Sequence, residues 1–283
     1  MHDSAEFAQV TGHYAVNGIS MKVLIAGEGP EVLLVHGYPD THEVWRKQIP
    51  ALVAAGYRVI APDLRGCGES EISPDVSAYQ IDNLVADLTA LLDVLGIAQV
   101  RLVAHDWGAV IAWRFVLAHA ERVERFVVLS VGHPTAYASG GLIQKLKGYY
   151  ILLMQLRGLA EWLFTRGDWW LFAQMTRYPA ELPHWRAHLA RPGRLTAGMN
   201  YYRANLGLIV PREFASARVP VFGLWSSADL FLAEGQMIAS ERYVRGPWRY
   251  ARIEGANHWL QLDAPETFNP LLLDYLATPR EAL

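Results

Sequence analysis

The stretch from Val100 to Ala109 constrains this chain more than any other. Val100, Leu102 and Val103 begin an apolar run with β-branched residues, the composition of a strand buried in a parallel sheet. Asp106 follows, between the small residues Ala104 and Gly108, and Val110 to Leu117 then supplies about two helical turns. Strand, sharp turn and helix, with a reactive side chain on the turn, is an elbow that presents a nucleophile. Its neighbours must be small because the turn strains the nucleophile's backbone and brings strand and helix together. Ser is the usual occupant. A carboxylate narrows the chemistry to attack on an sp3 carbon, which gives an alkyl ester that water must then hydrolyse.

Around this elbow the chain alternates strands and helices. Residues from about Val10 to Ala26 read as two short strands joined at Asn17-Gly18, a hairpin signal. Glu31–Val35, Tyr57–Ala61, Val123–Leu129, Val219–Trp225 and Trp248–Ile253 read as further strands. Ile81, Leu84, Val85, Leu88, Leu91, Leu92 and Leu95 have helical spacing, and Gly96 closes that helix. A last helix is expected from about Pro265 to Leu276. This alternation predicts an α/β class with a mostly parallel central sheet flanked by helices. From about Pro134 to Arg212 the rhythm stops. That stretch is crowded with Tyr, Trp, Leu and Arg and predicts several helices, one of them from Leu142 to Phe164.

An ester on Asp106 needs a base to activate water, an acid to orient the base, and donors for the oxyanion. His258 lies just after the last strand, in Gly255-Ala256-Asn257-His258-Trp259. Asp229 follows the Val219–Trp225 strand, in Ser226-Ser227-Ala228-Asp229. Catalytic groups of open α/β sheets gather at the carboxyl ends of strands, and both residues are placed there. Alone, an Asp at a strand end is more often a helix cap, and most histidines are structural or exposed. The conjunction and the order Asp106, Asp229, His258 carry the reading.

Composition excludes other classes. The chain has 283 residues, 52% hydrophobic and 19% charged, enough for a sizeable core and unlike a disordered chain. A net charge of −3 argues against a nucleic-acid partner. The single cysteine, Cys67, excludes an internal disulfide and fits a reducing compartment. Met1 to Phe7 lack the pattern of a signal peptide, and no apolar run reaches the roughly 18 residues of a membrane span. A cytoplasmic protein with no membrane partner is expected. His184 and His188 form an i, i+4 pair, but no Glu follows His184, so no metal site is expected.

The elbow His105-Asp106-Trp107-Gly108, with His36-Gly37-Tyr38-Pro39 after an earlier strand, resembles the α/β-hydrolase superfamily. It looks most like the epoxide hydrolases, whose elbow commonly reads His-Asp-Trp-Gly. The outer elbow positions, often Gly in the family, are Ala104 and Ala109 here. The resemblance implies a core of residues 1–133 and 213–283 with a helical cap inserted at 134–212. It implies an oxyanion hole from the main-chain N–H groups of Tyr38 and Trp107, and a cis Tyr38–Pro39 peptide. Some relatives take the acid from the loop after the previous strand; here Val131-Gly132-His133-Pro134 offers no carboxylate, which favours Asp229.

Epoxide opening leaves an alkoxide that needs a proton, and a phenol donates while staying neutral near pH 7. The family uses two cap tyrosines. Tyr149-Tyr150-Ile151 resembles one such segment and favours Tyr150; Asn200-Tyr201-Tyr202-Arg203 resembles the other and favours Tyr202. Substrate contacts are expected from His36, Trp107, Tyr149, Tyr201 and Trp259. His105 is expected to support the elbow from behind, and Asp63 and Arg65 to brace a loop.

The implied activity is hydrolysis of an apolar or aromatic epoxide to a vicinal diol, without a cofactor and with water as the second reactant; a homodimer is left open. Haloalkane dehalogenation by the same triad is the main rival, although those enzymes often place Asn or Glu where Tyr38 stands. Fluoroacetate dehalogenases carry Arg after the nucleophile and a His-Trp pair in the cap, and Trp107 and Tyr149-Tyr150 depart from both. A silent ligand receptor on this scaffold would typically lack part of the triad.

Overall fold

The computed structural model describes residues 8–282. Eight strands form one sheet in the order β1-β2-β4-β3-β5-β6-β7-β8. They are β1 (Gln9–Val16), β2 (Ile19–Ala26), β3 (Glu31–Val35), β4 (Arg58–Pro62), β5 (Val100–His105), β6 (Val123–Leu129), β7 (Val221–Ser226) and β8 (Trp248–Ile253). β2 is antiparallel to both of its neighbours and all other pairs from β4 to β8 are parallel, so β2 alone runs against the rest. The β1–β2 turn is Asn17-Gly18, both at positive φ, as a two-residue hairpin demands.

The central strands are buried along nearly their whole length, which is why they read as apolar runs rather than alternating ones. β3, β6 and β8 have the bounds their sequences predict. β7 starts two residues later than expected, because Pro220 has no N–H to give a ladder. Helices cover the sheet: α1 (Ile49–Ala54), α2 (Ile81–Val94) and α3 (Trp107–Ala118) precede β6.

Between β6 and β7 there is no strand. The chain forms α4 (Pro134–Ala138), α5 (Gly141–Lys147), α6 (Tyr150–Met154), α7 (Leu159–Thr176), α8 (Leu182–Leu189) and α9 (Arg194–Ala204). The single helix expected from Leu142 to Phe164 is therefore three pieces. Gly148 caps α5, and Gly158, at φ 74, precedes α7. α7 is itself kinked where Gly167, Asp168 and Trp169 take left-handed angles. Helical apolar spacing survives such breaks, so periodicity alone did not disclose them.

Polar ties seat this insertion against the start of α2. Asn205 donates to the carbonyls of Tyr79 and Tyr201 and accepts from Ile81 N–H, each at 2.8 Å. The chain closes with α10 (Glu234–Ala239), α11 (Leu260–Asp263) and α12 (Pro265–Ala277), the last close to expectation.

Candidate active site

Asp106 sits between β5 and α3 with φ 52 and ψ −123, an angle pair few non-glycine residues adopt. Two glycines make room for it. A Cβ on Gly37 would run into the Asp106 carboxylate, and one on Gly108 would run into the carbonyls of Val35 and His36. The elbow and the turn after β3 therefore close on each other only because both positions lack a side chain.

That closeness puts Tyr38 N–H 2.8 Å from Asp106 Oδ1. The Tyr38–Pro39 peptide is cis, as expected. On the other oxygen, Oδ2, His258 Nε2 lies 3.5 Å away. His258 Nδ1 is 2.8 Å from Asp229 Oδ2, and Asp229 Oδ1 accepts the N–H groups of Phe231 at 2.7 Å and Leu232 at 2.9 Å. All three side chains are buried.

Burial alone would raise the Asp106 pKa, but hydrogen bonding and charge from His258, then His105 and the Trp107 N–H, outweigh it and hold the carboxyl below its ordinary value. For His258 burial acts to lower the pKa, and the Asp229 and Asp106 carboxylates reverse this, pushing it up to about 10. His105 lies behind, its Nε2 3.0 Å from the His258 carbonyl and its ring 4.6 Å from the His258 ring, as the elbow reading expects. Burial drives its own pKa down to about 3.

Two cavities meet at Asp106. The larger runs along α3 past Trp107 and Val110 and is bordered by Tyr137 and Ile151. The smaller includes Tyr38, Met154, Phe231, His258 and Trp259. Asp106, Tyr150 and Tyr202 border both. Tyr150 and Tyr202 are buried and pack edge to face, their centroids 5.9 Å apart. Burial raises both phenols well above their ordinary pKa, so both remain protonated near neutral pH.

Other expected contacts fall elsewhere. Tyr149 is 62% exposed and borders neither cavity; one residue before Tyr150 on a helical path, it points to another side. Tyr201 is buried, but its hydroxyl donates to Arg65 carbonyl at 2.7 Å and its ring packs on Trp107 and Tyr79, beneath the site. His36 is also structural: Nε2 accepts Leu64 N–H at 2.9 Å, and burial pulls its pKa down to about 4. Trp107 and Trp259 do border the cavities. Asp63 binds His42 through Nδ1 at 2.7 Å and Arg65 pairs with Asp87, bracing contacts as expected.

Four contributors escaped the sequence reading. Asp40 accepts the indole N–H of Trp185 on α8 at 2.7 Å and of Trp259 at 2.9 Å, and burial raises its pKa to about 7. Tyr137 on α4 is a third phenol at the larger cavity. Gln144 and Lys147 on α5 grip the loop that carries Asp229. Gln144 donates to Phe231 carbonyl at 3.2 Å and accepts Ala233 N–H at 2.8 Å; Lys147 donates to the carbonyls of Asp229 and Leu232. Only the position of Asp40, directly after His-Gly-Tyr-Pro, carried a usable signal. The rest lie in a helical insertion where polar residues look like surface.

The profile of the alpha/beta hydrolase fold family matches residues 30–265. The chain is 33% identical to epoxide hydrolase A of Mycobacterium tuberculosis, covering 92% of this chain and 95% of that protein. It is 31% identical to epoxide hydrolase 3 of Xenopus tropicalis, covering 92% of this chain and 75% of that one. Among solved structures, epoxide hydrolase A from Mycobacterium thermoresistibile superposes with a TM-score of 0.82 at 30% identity, over 95% of this chain and 98% of that one. Potato (Solanum tuberosum) epoxide hydrolase I gives 0.81 at 27% identity, over 95% and 99%. Fold, elbow and relatives agree: the chain belongs to the epoxide hydrolase family of the α/β-hydrolase superfamily.

Proposed function

We propose that this protein hydrolyses an apolar or aromatic epoxide to a vicinal diol through an ester on Asp106. Residues 134–212 act as a cap over a core of 1–133 and 213–283. The observation that carries the reading is the pair of buried, protonated phenols, Tyr150 and Tyr202, facing the same space as the ionised Asp106.

The Asp106 carboxylate attacks one oxirane carbon, the C–O bond breaks, and the departing oxygen takes a proton from a cap phenol. This leaves a hydroxyalkyl ester. Esterification removes the Asp106 charge, which had helped to raise the His258 pKa. Made less basic, His258 gives up its resting proton to the phenolate through solvent, and the neutral imidazole then takes a proton from water while Asp229 holds its Nδ1–H. The resulting hydroxide attacks the ester carbonyl, and the oxyanion is met by the N–H groups of Tyr38 and Trp107. Collapse releases the diol and restores the carboxylate. His258 is left as the imidazolium it was at rest and the phenol already holds its proton again, so the reaction consumes only the epoxide and water. No cofactor is invoked, and the lone buried cysteine fits a cytoplasmic setting.

Haloalkane dehalogenation would use the same triad but needs no proton for its leaving group, so paired phenols favour the epoxide. Incubation with an aryl epoxide and, separately, with a bromoalkane tests the choice. Diol without bromide is expected; bromide without diol would overturn the reading.

A further inference from the structure

Fifteen large apolar side chains are exposed among the described residues, and nine of them fall between residues 142 and 170. Leu142, Leu146, Tyr149, Leu152, Leu156 and Leu159 are all exposed, so the outer side of α5, α6 and the start of α7 is largely apolar. The inward face of the same stretch carries Tyr150, Ile151 and Met154, which border the cavities at Asp106. Trp162 and Trp170, half or more exposed, extend the outer face. A patch this concentrated marks an interaction surface.

Its charge says what it meets. Residues 142–170 hold Lys145, Lys147, Arg157 and Arg166 against Glu161 and Asp168, in a chain that is acidic overall. Glu161 is paired with Arg203, Asp168 with Arg186, and Lys147 is bonded to main-chain carbonyls. Lys145, Arg157 and Arg166 are exposed and have no acidic partner among the described residues, while Arg166 lies 4.5 Å over the Trp162 ring. Exposed Leu with Trp and Tyr, edged by free cations, is the make-up of an element that lies in a bilayer interface. A second copy fits less well, since a symmetric contact on this face would oppose free cations to free cations with no carboxylate between them.

We propose that this outer face docks the protein on an anionic lipid surface. Among the described residues no helix is long and apolar enough to cross a membrane, so the contact is peripheral. It holds the cavity wall against the phase in which an apolar substrate concentrates.

The test is flotation of the full chain with phosphatidylcholine vesicles, with and without about one-third phosphatidylserine. The parent is expected to float with the anionic vesicles, less with the neutral ones, and less at high salt. Lys145→Gln with Arg157→Gln should weaken anionic-vesicle binding roughly thirtyfold, about fivefold per charge. Leu146→Ser with Leu152→Ser should weaken binding to both vesicle types. Both variants should melt like the parent and turn over a water-soluble epoxide at the parental rate. A parent that stays unbound with every vesicle overturns the proposal, as does a charge variant that binds like the parent. A dimer that Leu146→Ser dissociates, without vesicle binding, would assign the face to a second copy instead.

Discussion

Tyr150 and Tyr202 reach the space around Asp106 from different helices, α6 and α9, and meet ring to edge at 81°. Because both border the space around Asp106, one phenol can partly replace the other. Tyr150→Phe and Tyr202→Phe should each slow ester formation, and the double variant should slow it by roughly 10²–10⁴-fold, the span of a lost general acid. Hydrolysis of the ester should change less. Single-turnover kinetics separate the two steps, and full-rate opening by the double variant would place the acid elsewhere.

The grip of Gln144 and Lys147 on residues 229–233 makes a different prediction. Phe231, on the gripped loop, packs 5.1 Å from the His258 ring, so releasing the loop should disturb His258 and Asp229 more than Asp106. Gln144→Leu and Lys147→Met should slow ester hydrolysis by up to about tenfold each, as expected for losing hydrogen bonds of ~1 kcal/mol. Ester formation should hold, and Lys147→Arg should restore part of the loss. Equal loss in both steps, with no recovery in Lys147→Arg, would reduce the contact to general scaffolding.

The raised pKa of His258 also shows in stability. A group that binds its proton more tightly folded than unfolded stabilises the fold fully below its unfolded value, 6.5, and loses that contribution as pH rises through about 10. The urea midpoint should therefore fall across this alkaline range, and His258→Gln should flatten the fall. A parallel decline in both proteins would show that the carboxylates do not hold the imidazolium as described.

The elbow and the strands were legible because each is local, and so was the placing of Asp106, Asp229 and His258 beyond strand ends. A buried parallel strand is an apolar run; Asp106 directly follows one, and Asp229 and His258 come within five residues of the end of another. The insertion between β6 and β7 was legible only as helical. The breaks at Gly148, Gly158 and Gly167 leave the apolar spacing intact, and which tyrosine of each doublet faces inward depends on how α6 and α9 are rotated against the core. At that level neighbours one residue apart, Tyr149 and Tyr150 or Tyr201 and Tyr202, have opposite fates. His36 was misplaced for a related reason. Its strand points it at Leu64, and the sequence does not reveal what packs beneath a strand end.

If Asp106 becomes an ester which His258 must hydrolyse, intact-mass analysis of His258→Gln after exposure to an aryl epoxide will reveal it. The variant should gain the mass of one whole epoxide, on the peptide that holds Asp106, and the adduct should persist because water is no longer activated. Asp106→Asn should gain nothing. An unmodified His258→Gln protein that still yields diol at the parental rate would contradict the account, because water would then reach the epoxide without passing through Asp106.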